Sequence, residues 1–142
     1  MSLASFKRGV FLLELLNSLA TAFYFNYLFF YLKYEFGLTN QQNLLVCALN
    51  GFVFMLTAYP GGRFGQKRGY IGALILGFST MAVSLGVSLV WRSLTGALVM
   101  MVLWTIGMCF TWPNLEALTA ERETPRRIPK LVGIYNCVWA GG

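Results

Sequence analysis

Ala58-Tyr59-Pro60-Gly61-Gly62-Arg63-Phe64-Gly65-Gln66-Lys67-Arg68-Gly69-Tyr70 is the stretch on which the fold class turns. Arg63, Lys67 and Arg68 sit in it without a carboxylate, while residues 36–62 before them and 69–91 after them carry no charge at all. A cationic, glycine-rich segment between two long uncharged apolar runs predicts two membrane helices joined by a tight turn at the cytoplasmic surface.

Composition points the same way. Of the 142 residues, 57% are hydrophobic and only 11% are charged, against about 25% charged in ordinary soluble domains, and the mean hydropathy is +0.62. A globule of this length cannot hide so much apolar surface, so the surplus faces lipid, and no separate soluble domain fits beside it. The net charge of +6 does not mark a nucleic-acid binder, because the cations form short clusters between apolar spans.

A span needs roughly 20 apolar residues to cross about 30 Å of hydrocarbon. Stretches at about 9–32, 43–59, 70–90 and 94–118 meet that length, and a fifth, 131–142, is cut short. The chain is therefore expected to be a fragment. Runs such as Val46 to Leu56 and Leu98 to Leu103 lack the alternation of barrel strands, so the prediction is an all-α, multi-pass transmembrane helical bundle.

Lys7, Arg8, Arg63, Lys67, Arg68, Arg122, Arg126, Arg127 and Lys130 would lie on one side of the bilayer and only Lys33 and Arg92 on the other. The cation bias predicts a cytoplasmic N-terminus in the inner cell membrane. Lys7-Arg8 followed by an apolar run, with Ala20-Thr21-Ala22 downstream, has features of a secretory signal. Glu14 interrupts that run and hydrophobic sequence continues to Leu32, which favours an uncleaved first helix.

Glu14 is the sharpest single residue, since a carboxylate inside a span costs about 3 kcal/mol on insertion scales. Glu14, Asn17, Ser18 and Thr21 recur at three- and four-residue steps and form one polar stripe that Tyr24 extends outward. Two readings stand for Glu14. It faces a pathway, binding a cation or amine or exchanging a proton, or it reaches the inner interface and pairs with a basic group near Lys7 and Arg8. Aromatic residues from Phe23 to Phe36 crowd the outer end of the same helix, where lipid anchoring and packing explain most of them.

Ala73 with Gly77, Ala82 with Gly86, and Ser84 with Ser88 are four apart and predict close helix packing along the third span. In the fourth, Pro113 removes a backbone hydrogen bond, so Pro113, Asn114 and Glu116 are candidates for lining an inner gate. Cys47, Cys109 and Cys137 have no metal-ligand spacing, and the chain contains neither histidine nor aspartate. No metal, no cofactor and no enzymatic activity is expected.

This arrangement resembles the major facilitator superfamily of secondary transporters over the whole chain. That family's signature between its second and third helices is Gly, three residues, Asp, a basic residue, any residue, Gly, then further basic residues. Arg63, Gly65, Lys67 and Arg68 match it, flanked by Gly61 and Gly69, while Ala58 replaces the first glycine, Gln66 a basic residue and Gly62 the aspartate. The segment from Leu118 to Asn136, with Glu121, Arg122, Glu123, Arg126 and Arg127, is similar to the family's charged loop before helix five. The resemblance implies an incomplete N-terminal half of a fold of about twelve helices. Its partners are then the lipid bilayer, an unknown small-molecule substrate, proton-coupled if Glu14 titrates, and helices five to twelve of its own chain. Two other readings are a small four-helix multidrug exporter, against which the charged loop and fifth span argue, and a non-transporting membrane scaffold, against which the polar stripe argues.

Overall fold

The computed structural model describes residues 3–141. Five helices follow one another: α1 Leu3–Phe36, α2 Asn40–Arg68, α3 Tyr70–Ser88, α4 Leu94–Ala120 and α5 Ile128–Gly141. There is no strand among the described residues. The links are short and locally encoded. Thr39 caps α2 through a reciprocal capping box with Gln42, and Ser93 caps α4 by accepting from the Gly96 N–H at 3.0 Å.

The expected turn over 58–70 is not a turn. Residues 58–68 are the last three turns of α2, with Pro60 inside the helix, and only Gly69 separates α2 from α3. Gly69 has φ 98°, a left-handed backbone region that side chains disfavour. Its N–H returns to the Gly65 carbonyl at 2.8 Å. The physical reason for the longer helix lies in packing. A Cβ at Gly61 would stand 2.1 Å from the Cys109 carbonyl oxygen, and one at Gly65 would stand 1.6 Å from Asn114 Oδ1. Two glycines four apart thus lay the α2 backbone directly on α4.

α4 is the centre of the bundle and touches each of the other four helices. Gly77 of α3 and Gly107 of α4 face each other so closely that a Cβ on either would meet the other's carbonyl within 3 Å. Ala73 and Ser84 are buried, but Ala82 and Gly86 are exposed and Ser88 is half-buried, so small residues pack along the face of Ala73, Gly77 and Ser84 and not at Ala82 and Gly86. Three apolar layers follow one another along α4. Leu115 and Leu118 meet Val10, Leu74 and Tyr135; Trp104 and Met108 meet Met81; Ala97 and Met101 meet Leu28, Leu32 and Val46.

The carbonyl end of α4 is fully accounted for. Ala117 accepts from the Glu121 N–H and Ala120 from the Glu123 N–H. Leu118 and Thr119, each at 2.8 Å, accept from the Lys7 ammonium, which also reaches the Glu121 carbonyl at 2.7 Å. Lys7 of α1 therefore caps α4. Burial pushes the Lys7 pKa down from its ordinary value, while Glu123 and Glu121 nearby hold it up.

Among the described residues, α2, α3 and α4 are long and apolar enough to cross a membrane by length and composition. α1, expected as a further span, is not among them, although it is 34 residues long. Glu14, Asn17 and Asn26 dilute its apolar run. Large apolar side chains such as Leu44, Phe52, Met55 and Ile75 are exposed on α2 and α3, the outward face a bilayer requires.

Candidate functional site

The polar stripe of α1 lies inside the bundle, where α1 packs on α4 and α5. Glu14 is 0% exposed, and Asn17, Ser18 and Thr21 are buried with it. Helical spacing alone puts these four on one face; burial of that face follows from Val10, next above it, packing into the layer of Leu115, Leu118 and Tyr135. Ser18 Oγ donates to Glu14 Oε1 at 3.0 Å. Glu14 Oε2, both amide atoms of Asn17 and the Thr21 hydroxyl have no partner among the described residues. Such orphaned groups cost about 1–3 kcal/mol each, so their concentration on one face calls for a functional explanation.

Neither basic neighbour reaches Glu14. Lys7 is committed to the carbonyls of α4, and Arg8 is exposed. What stands beside Glu14 instead is Tyr135 of α5, with Glu116 within electrostatic range of both. The Tyr135 hydroxyl donates to the Trp112 carbonyl at 3.3 Å. Tyr24, which extends the stripe by position, stacks on Trp104 with centroids 4.3 Å apart and planes 18° apart. Its ring is engaged in packing.

The residues of the glycine-rich stretch divide between two faces of α2. Gly61 and Gly65 point inward onto α4, and Gly62 stands 3.4 Å, by its missing Cβ, from the Pro113 side chain. Arg63, Lys67 and Arg68 are exposed, and Arg63 donates to the Tyr59 hydroxyl at 2.7 Å. Gly69 makes the link to α3.

Of the three inner-gate candidates, Asn114 and Pro113 meet these glycines and Glu116 does not. Asn114 is fully buried and its Nδ2 donates to the Gly61 carbonyl at 3.3 Å and the Phe110 carbonyl at 2.9 Å. Pro113 lacks the N–H that would bond the Cys109 carbonyl, and Gly61 packs against that freed oxygen. Thr57 completes the seam by donating to Cys109 Sγ at 2.9 Å. Glu116 is exposed on another face of α4.

Sequence reasoning missed Lys7 as a cap and Tyr135 as the neighbour of Glu14, because both contacts join residues more than a hundred positions apart. The Gly61/Gly65 seam had a readable signal, small residues four apart, that the turn reading obscured. No group of metal-ligating side chains occurs among the described residues.

Comparison with curated proteins and with solved structures finds no match. The sequence model of the Major Facilitator Superfamily, by contrast, matches residues 2–142. A membrane bundle of apolar helices with that match over nearly its whole length belongs to the Major Facilitator Superfamily.

Proposed function

We propose that the chain contributes to secondary active transport of a small solute by alternating access, with the α1 stripe as part of the solute or proton pathway. The observation that carries this reading is the buried row of Glu14, Asn17 and Thr21, in which Glu14 Oε2, both Asn17 amide atoms and the Thr21 hydroxyl have no partner among the described residues. A carboxylate held away from bulk water binds a proton or a cation when one arrives and releases it when the surroundings change. Tyr135 and Glu116 are the groups that sense the charge state of Glu14. The N-terminus is cytoplasmic in this reading, the chain lies in the cell membrane, and further helices of the same protein complete the solute site.

The test is uptake into proteoliposomes by the protein encoded with its downstream sequence, screened over solute classes with and without an imposed pH gradient. Wild-type uptake of at least one solute should rise with the gradient, and Glu14→Gln should abolish that dependence. Gradient-driven uptake that is unchanged in Glu14→Gln removes the carboxylate from the coupling step.

A further inference from the structure

At the end of the bundle away from Lys7, a cavity of about 690 Å³ opens between α1 and the link from α3 to α4. Tyr24, Tyr27, Tyr31 and Glu35 reach it from one face of α1, at three- and four-residue steps. Leu85 and Gly86 of α3 and Leu89, Trp91 and Arg92 of the link close the other side. Its volume is that of a small-molecule site, about 300–1,000 Å³.

Two opposite charges line this one cavity without neutralising each other. The ion pairs among the described residues are Arg122 with Glu121 and Arg127 with Glu123, so Glu35 and Arg92 are not paired. Arg92 Nε donates to the Leu89 carbonyl at 3.1 Å, and no ion pair engages its guanidinium among the described residues. Beside Glu35, the Tyr27 and Tyr31 rings stack with centroids 6.2 Å apart and planes 15° apart. Interfacial anchoring accounts for tyrosines and a tryptophan at a membrane surface, but it does not require a carboxylate and a guanidinium in the same hollow. Aromatic faces with a carboxylate suit an ammonium. A guanidinium suits a phosphate.

We propose that this cavity binds a zwitterionic amphiphile bearing an ammonium and a phosphate, whether a bilayer phospholipid or a soluble ester of the same head group. The ammonium lies against Tyr27, Tyr31 and Glu35, the phosphate takes Arg92, and the apolar chain runs along Leu85 and Leu89. This assignment does not depend on the transport reading of Glu14.

The experiment places the purified protein in nanodiscs of phosphatidylglycerol and titrates dodecylphosphocholine below its micellar concentration, read by tryptophan fluorescence. A saturable change is expected, and dodecyl maltoside, with the same chain and no charge, should give none. Glu35→Gln and Arg92→Gln, both at exposed positions, should each weaken binding roughly tenfold. A Cβ at Gly86 meets nothing within 4 Å, so Gly86→Phe should fold, as circular dichroism will show, and abolish binding by filling the hollow. Arg63→Gln, on α2, should bind as wild type does.

Native mass spectrometry from mixed phosphatidylcholine and phosphatidylglycerol nanodiscs separates the sources. Selective retention of phosphatidylcholine by wild type, lost in Glu35→Gln, assigns a bilayer lipid; equal retention of both lipids with saturable dodecylphosphocholine binding assigns the soluble ester. Absence of saturable binding, equal binding of the maltoside, or wild-type affinity in both charge variants overturns the proposal.

Discussion

A methyl group added at Gly65 would land on Asn114, with 1.6 Å between the new Cβ and Oδ1. Asn114 has no freedom to swing aside, because its Nδ2 is held by the carbonyls of Gly61 and Phe110. Gly65→Ala should therefore destabilise the protein by about 1–3 kcal/mol through overpacking. Asn114→Ala introduced with it should recover part of that loss, since the two changes share one contact and are not additive. Gly86→Ala provides the contrast: its new methyl meets nothing, and helix propensity alone favours alanine by about 1 kcal/mol. Thermal unfolding midpoints in detergent rank the variants. A Gly65→Ala protein as stable as Gly86→Ala would mean that α2 does not lie on α4 as described. The contrast also shows where sequence spacing failed at this scale. Ala82 and Gly86 satisfy the small-residue rule as well as Gly61 and Gly65 do, and only the partner helix decides which pair is used.

α2 is the element in which propensity and packing disagree most. Proline and three glycines within residues 60–65 weigh towards a turn, at about 1 kcal/mol for each glycine and about 3 kcal/mol for the proline relative to alanine. Close approach of Gly61 and Gly65 to α4 offsets that cost, and Lys67 and Arg68 in the last turn suit the negative end of the helix dipole. Pro60 itself is exposed. Pro60→Ala would restore an N–H to the Leu56 carbonyl and should raise stability by about 1–3 kcal/mol, with slower amide exchange over residues 57–65. A turn at these positions would leave exchange there fast and stability unchanged, so the measurement discriminates the two arrangements. The α1 stripe shows the opposite case. Its polar residues are spaced for one helical face and that face is buried, so the candidate site was legible from α1 alone. Tyr135 comes from α5 and Lys7 acts on α4, and no local pattern encodes either.

The whole molecule is polarised in charge as well as in packing. Lys7 binds the carbonyl end of α4 and Gly65 meets Asn114, which gathers the start of α1, the end of α2 and the link from α4 to α5 at one end of the bundle. Eight of the eleven cations belong to those segments and Lys130 to the first turn of α5 beside them, while Lys33 and Arg92 belong to the other end. Placing the richer end outside would translocate nine cations instead of two, and each lysine or arginine at the membrane centre costs about 2.5–3.5 kcal/mol on insertion scales. The balance predicts one orientation. With Cys47, Cys109 and Cys137 replaced by alanine, Arg92→Cys should react with a membrane-impermeant maleimide in intact cells. Arg68→Cys should react only after permeabilisation or in inverted vesicles. Both positions are exposed, so reactivity reports sidedness and not burial. Labelling of Arg68→Cys from outside intact cells, with Arg92→Cys protected, would invert the bundle and place the Lys7 cap and the glycine seam at the external face.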